Sequence, residues 1–368
     1  MINREISFVD AQLEPKAATS HFCFIGATGS GKTICIRLLM QDSLIDTATK
    51  KITRALVYDA KGDTLPVLHG IVGYDDYERG TQHNVITLNP FDARSYSWDM
   101  AADILTPGHA QQLATIFIPT DPNASQPFFA NAARHILQGV VTVFIRIKRD
   151  DPKKHWTLRD VIFVLKNAKR LCAILESDEQ TKHLVEMYFS HQDTSKDIMS
   201  ELASRLSAFE IIAALWHKSK RSISLKDWAT GQRDFILVLG SDHTNRATVD
   251  AINQVIFKRI SEILLDQPEH GTRRTWIILD EFARAGRLNG VVDLATKGRS
   301  KNVAMVFGFQ DINGLRAVYE KEIAEEIIGQ CSNIAILRLQ SPDTAEWASR
   351  LFGSYERMEG KELSLIHI

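Results

Sequence analysis

Four cysteines in 368 residues, Cys23, Cys35, Cys172 and Cys331, are scattered in apolar surroundings with no Cys-x-x-Cys pair. That scarcity excludes a disulfide framework and a cysteine zinc site, and it predicts buried thiols in a reducing compartment. A charge excess is missing as well. Lys and Arg number 44 against 45 Asp and Glu, a formal net charge of −1, so no global basic field announces nucleic acid. Any such contact has to come from local patches or from repetition around a ring of subunits. No run approaches about 18 consecutive apolar residues and no signal peptide precedes the first predicted strand, so a soluble, cytoplasmic chain is expected. Internal repeats and low-complexity linkers are also absent. What remains, 44% hydrophobic and 24% charged, is enough for two domains with their own cores.

Against that plain background one segment stands out. Gly26-Ala27-Thr28-Gly29-Ser30-Gly31-Lys32-Thr33 is a complete phosphate-binding loop. It follows an apolar run, His21 to Ile25, and precedes Ile34 to Met40, which has helical spacing. The glycines let consecutive backbone N–H groups curl around a β-phosphate, and Lys32 neutralises the β/γ oxygens. The Thr33 hydroxyl ligates Mg²⁺, and the helix start at Lys32-Thr33-Ile34 adds its dipole. The segment predicts a nucleoside triphosphate site.

Short β-branched runs alternate with helical patterns, which predicts an α/β class with a parallel sheet covered by helices. Strands are expected at 21–25, 55–59 and 84–88. From about Trp98 to Gly231 the strand signal almost vanishes and helices are expected at 109–118, 127–146, 158–165, 168–176, 181–189 and 197–215. Thr157 with Asp160 three residues on, and Asp193-Thr194-Ser195, read as helix starts. Alternation then resumes, with strands at 235–239, 275–280, 303–309 and 334–339 and helices at 246–265, 288–297, 323–328 and 342–351. The simplest organisation is one nucleotide-binding domain, residues 1–97 and 232–362, interrupted by an all-α domain at 98–231.

Both chain ends look cut, and residues 363–368 read as a non-native tail resembling a translated sequencing adapter.

A second half-site is legible. Trp276 to Leu279 is a buried strand ending in Asp280 and Glu281, where the first acid suits the Mg²⁺ shell and the second suits the attacking water. Gln310 ends the strand 304–309, where a neutral amide can sense a γ-phosphate or simply satisfy a loop. Arg299, in Lys297-Gly298-Arg299-Ser300-Lys301-Asn302, suits an arginine finger reaching a neighbouring subunit or a basic surface loop, with Arg284 and Arg287 as rivals. Asp59 fits the nucleotide site or a strand-end turn equally. Arg146 to Arg149 with Lys153 to Trp156, and Trp216 to Arg221, suit single-strand binding or solvated helix ends.

Together with Val57-Tyr58-Asp59-Ala60-Lys61-Gly62-Asp63, Leu88-Asn89-Pro90-Phe91-Asp92-Ala93-Arg94-Ser95 and Trp98, these motifs resemble the TraG/TraD-type coupling proteins of conjugative type IV secretion. The resemblance covers about residues 18–355. It implies a RecA-like P-loop NTPase domain with an inserted all-α domain, and ATP and Mg²⁺ as cofactors. It further implies a homohexamer at the cytoplasmic face of the bacterial inner membrane. Such a ring moves relaxase-bound single-stranded DNA to the inner-membrane components of the secretion channel. By residue, it implies Lys32 and Thr33 on phosphate and metal, Asp280 in the metal shell, Glu281 as catalytic acid, Arg299 as the finger in trans and Gln310 as sensor. Family members carry two transmembrane helices before this domain, which this chain lacks, so its membrane anchoring is an open point. Another P-loop DNA motor (FtsK-like, or a secretion-channel ATPase) and a nucleotide-gated recruiting platform are the alternatives.

Overall fold

A computed structural model describes residues 6–9, 11–13, 20–45, 51–73, 84–120, 127–269 and 273–353; the proposed tail at 363–368 lies outside them. A short antiparallel hairpin, β1 (Ile6–Phe8) and β2 (Ala11–Leu13), comes first. Phe8 sets its ring against Phe22 and Phe24 at 5.5 and 5.2 Å. The sheet strands follow: β3 (His21–Ile25), β4 (Arg54–Tyr58) and β5 (Val85–Thr87). A parallel two-residue pair, β6 (Ser97–Trp98) and β7 (Ser222–Ile223), closes the root of the helical insertion. After it come β8 (Ile236–Leu239), β9 (Thr275–Leu279), β10 (Val303–Phe309) and β11 (Cys331–Ile336).

Seven of these form one parallel sheet in the order β11-β3-β10-β9-β4-β8-β5. The central strands are buried on both faces, which is why they read as unbroken apolar runs. Alternate residues feed two cores. Phe22, Phe24, Val57, Trp276 and Val306 pack under the helix Lys32–Leu44. Ile25, Leu56, Leu237, Ile277 and Phe307 face a larger core that runs on into the insertion. In that insertion the helix Pro127–Asp150 is long and apolar enough to cross a membrane, with mean hydropathy 1.3. Most of that stretch, 61%, is buried, and it packs against the helices Pro107–Phe117 and Gln192–Lys218.

Several expectations are met closely. The helix Leu158–Leu165 starts on a capping box, Asp160 accepting from the Thr157 N–H at 2.8 Å. Asp193 to Ser195 is different: that helix already begins at Gln192, so those residues form its first turn. β11 runs Cys331–Ile336, three residues earlier at each end than expected, because its first half carries polar Ser332 and Asn333 beside a register shift and so lacks an apolar signal. The helices Thr64–Val72 and Ile312–Tyr319 were not foreseen. Pro66 with Gly70 and Gly314 dilute their signal.

The Leu-Asn-Pro-Phe-Asp segment turns out to build the joint between sheet and insertion. Asn89 donates to Ser241 O at 3.1 Å and packs so closely on Gly240 that a Cβ there would lie 2.7 Å from its own Cβ. Beyond it, Asp103 is fully buried and accepts four hydrogen bonds across the joint. They come from Trp98 Nε1 (2.6 Å), Ser224 Oγ (2.6 Å), Leu225 N (2.7 Å) and Lys226 N (3.0 Å). Asp103→Ala strands these donors out of water and is expected to cost about 3 kcal/mol, read as a lowered urea midpoint.

His21 locks the other end of the sheet. Its Nδ1 accepts from Met305 N at 3.0 Å, so Nε2 carries the proton and donates to Ala295 O at 2.8 Å. Burial pushes this imidazole below 6.5, the Ala295 bond pulls it back, and the nearby Arg299 guanidinium lowers it again. An unfolded chain takes up a proton below about pH 6.5 that the folded chain refuses. Stability is therefore complete above that pH and falls as pH drops through it, by up to about 1.4 kcal/mol per unit. Urea midpoints measured at pH 7.5 and 5.5 are expected to fall further for the wild type than for His21→Gln.

Candidate nucleotide site

Sheet order explains how distant motifs meet. Four neighbouring strands, β3, β10, β9 and β4, deliver at their carboxyl ends the phosphate loop, Gln310, the Asp280-Glu281 pair and the Asp59–Lys61 turn. Gly29 and Gly31 adopt φ of +72° and +92°, a left-handed backbone that the turn requires and side chains resist. Gly31 then caps the helix Lys32–Leu44. The loop is anchored from behind, Gly26 N donating to Phe309 O at 3.2 Å and Ala27 N to Arg338 O at 2.9 Å.

The resulting cleft, about 380 Å³, is lined by Ala27 to Ile34, Lys61, Glu281, Arg284 and Gln310. Lys32 is 5% exposed and its Nζ lies 3.1 Å from Glu281 Oε1 and 3.6 Å from Asp280 Oδ1. Thr33 Oγ1 donates to Asp280 Oδ2 at 3.1 Å. Gln310 Nε2 donates to Glu281 Oε2 at 3.1 Å, and its Oε1 accepts from Thr28 Oγ1 at 3.4 Å. Gly308 holds the space beside Asp280, since a Cβ there would sit 2.9 Å from Asp280 Oδ1. Ile34 is 64% exposed, on the outer face of the helix.

Glu281 is the hub. Its backbone is left-handed, φ 60° and ψ 46°, a conformation non-glycine residues avoid at a cost of about 1–3 kcal/mol. Burial pushes its carboxyl up, but Lys32, and after it Lys61, outweigh this and hold it below the usual range. A carboxylate so placed is charged and can receive a proton from water. Thr33 Oγ1 beside Asp280 is a hydroxyl–carboxylate pair that fits Mg²⁺, a cation that takes few protein ligands and the rest from phosphate and water. Ser30 Oγ, buried in the loop without a partner, marks a cradle built for an acceptor.

Other predicted residues fall elsewhere. Arg299 is exposed on a single 3₁₀ turn, Gly298–Lys301, that leads into the amino end of β10. The seven-residue strand puts it about 20 Å from its own phosphate loop. Arg287 pairs with Glu320 at 3.0 Å, away from the cleft, whereas Arg284 Nε stands 3.8 Å from Glu281 Oε2. Asp59 turns inward to cap its own loop, accepting from Gly62 N and Thr64 N. Arg146 is paired with Asp178 and Lys148 donates to Ala101 O at 2.7 Å, while Arg149, Lys153 and Lys154 of the same cluster stay exposed.

Two cations escaped the sequence reading. Lys61 Nζ lies 3.1 Å from Glu281 Oε1 and 3.5 Å from Thr33 Oγ1. Arg338 Nη2 donates to Thr28 O at 3.0 Å from the end of β11. Each follows a strand whose neighbours only the sheet order reveals.

A phosphate loop and a strand-end acid pair, separated in the sheet by one strand that ends in the Gln310 amide, define a RecA-like P-loop nucleotide-binding fold with a helical insertion. A family model of the type IV secretion-system coupling protein DNA-binding domain matches residues 5–365, and the chain belongs to that family. It is 23% identical over 363 residues to the coupling protein TraD of Escherichia coli (strain K12), across 97% of this chain and 47% of that protein. The chain thus spans about half the length of that curated relative. The bacterial conjugative coupling protein TrwBdeltaN70, in its unbound monoclinic form, superposes with a TM-score of 0.72 at 20% identity, covering 95% of this chain and 78% of that one. TrwB in complex with ADP and Mg²⁺ gives a TM-score of 0.68 at 19% identity, covering 91% and 74%.

Proposed function

We propose that this chain is the motor part of a conjugative coupling ATPase, hydrolysing ATP with Mg²⁺ to move relaxase-bound single-stranded DNA towards a type IV secretion channel. The observation that carries this reading is the Glu281 hub. A merely binding P-loop has no need of a buried carboxylate held in a left-handed backbone within reach of the phosphate lysine and the Gln310 amide. Bound Mg²⁺ would supply charge neutralisation at the β/γ oxygens, with Thr33 and Asp280 holding it. Lys32 then exchanges Glu281 for phosphate, which releases the carboxylate to orient water and take its proton. Gln310, bonded to both Glu281 and Thr28, transmits the change to the phosphate loop.

Six copies form a ring in this proposal, with Arg299 of one copy serving the cleft of the next. It also covers relaxase recruitment and docking on inner-membrane components. TrwB's complexes with ADP and Mg²⁺, with an ATP analogue and with a GTP analogue support a nucleotide and Mg²⁺ in the cleft, and membership of the coupling-protein family supports the cargo.

The test is mechanical. The chain is incubated with ATP and single-stranded DNA bearing streptavidin on a biotinylated end. ATP-dependent displacement of streptavidin is expected. DNA binding that never displaces it, whatever the nucleotide, would leave a recruiting platform in place of a motor.

A further inference from the structure

A second, larger cavity, about 540 Å³, opens at the joint where the Leu-Asn-Pro-Phe-Asp loop leaves the sheet and the long helix Gln192–Lys218 ends. Phe91 and Asp92 line one side. Trp216, Lys218, Lys220 and Arg221 line the other. Lys218 and Lys220 are exposed, and neither forms an ion pair among the described residues. The one carboxylate at the rim, Asp92, is already engaged by Arg94 at 2.7 Å. The helix end contributes roughly half a unit of negative charge, too little to offset Lys218 and Lys220. An anion is favoured.

The wall is preorganised. Arg221 O accepts from Ser97 N at 2.9 Å and from Ser219 Oγ at 2.8 Å, so the basic segment is fixed before any ligand arrives. Arg221 also lies over the Tyr96 ring, 5.0 Å from its centroid. Trp216 is 6% exposed, and its indole Nε1 is buried without a partner. Half-buried Phe91 offers an apolar face opposite the cations. A small inorganic anion would use the charges and leave the aromatic wall idle. A single strand uses both, phosphates on cations and a base on a ring.

We infer that this cavity is a contact site for single-stranded nucleic acid, with backbone phosphates on Lys218 and Lys220, flanked by Arg221, and a base against Phe91. The inference rests on the reading above that the chain engages single-stranded DNA. A strand seated here touches both the insertion and the loop leaving β5, and so bridges the two across the Asp103 joint.

Anisotropy titrations of the whole chain with a fluorescent thymidine oligonucleotide, repeated across a range of KCl concentrations, test it. Lys218→Ala/Lys220→Ala is expected to reduce the slope of log K against log salt by about 1.4, since each phosphate contact contributes about 0.7. Phe91→Ala is expected to weaken binding about tenfold with the slope unchanged. Lys218→Arg/Lys220→Arg keeps wild-type behaviour, and nucleotide binding by all variants confirms that they fold. Wild-type affinity and slope in the double alanine variant would overturn the site while leaving the motor reading intact. Failure of the wild type to bind the oligonucleotide would overturn both.

Discussion

Glu281→Gln is expected to slow ATP turnover by about 10²–10⁴-fold while nucleotide affinity stays level or tightens. The amide keeps the length of the side chain and its place between Lys32 and Gln310, but it cannot take a proton from water. Its effect on binding has a definite sign. In the free chain Lys32 is held by Glu281 at 3.1 Å, and that pair has to open before the ammonium reaches a phosphate. Removing the carboxylate's charge removes the competitor. Phosphate release and titration with a fluorescent ATP analogue separate the two effects. Unimpaired turnover in the glutamine variant would take the base role away from Glu281. Lys32→Ala provides the contrast, since it loses phosphate affinity itself.

Arg299→Ala is expected to lower turnover by about 10³–10⁵-fold without lowering nucleotide affinity. The geometry is the reason. Arg299 stands at the amino ends of the strands and its own phosphate loop at their carboxyl ends, so a γ-phosphate within its reach has to come from a neighbouring copy. Mixing Arg299→Ala chains with Lys32→Ala chains, each inactive alone, should restore part of the activity, because some interfaces then pair an intact loop with an intact arginine. Arg284 behaves differently. It sits 3.8 Å from Glu281 in the same chain, so its loss cannot be rescued by mixing with Lys32→Ala. Rescue of Arg284→Ala but not of Arg299→Ala would reverse the assignment.

How much of this was legible beforehand depended on whether a feature is local. The phosphate loop and the strand-end acids are written in consecutive residues, whereas Gln310 stood open between a sensor and a loop partner until β10 was placed between β3 and β9; the doubly buried strands read as apolar runs because neither face meets water. The helical insertion showed itself by the loss of strand signal after Trp98. Its attachment did not, because Asp103 draws its partners from both sides of a long excursion and no spacing rule links Trp98 to Ser224. Lys61 and Arg338 stayed hidden for the same reason. A cation two residues past a strand-end acid means little until β4 is known to lie beside β9. The left-handed backbone at Glu281 is likewise a tertiary outcome, imposed on a residue with no preference for it. Asp59 shows the reverse: a strand-end acid that resembled a site residue is consumed by its own turn.

The most direct test of the central claim is steady-state phosphate release by the wild-type chain, with and without single-stranded DNA, beside Lys32→Ala and Glu281→Gln. Turnover is expected to rise with DNA in the wild type and to be lost in both variants. DNA-stimulated turnover that survives in either variant would contradict it.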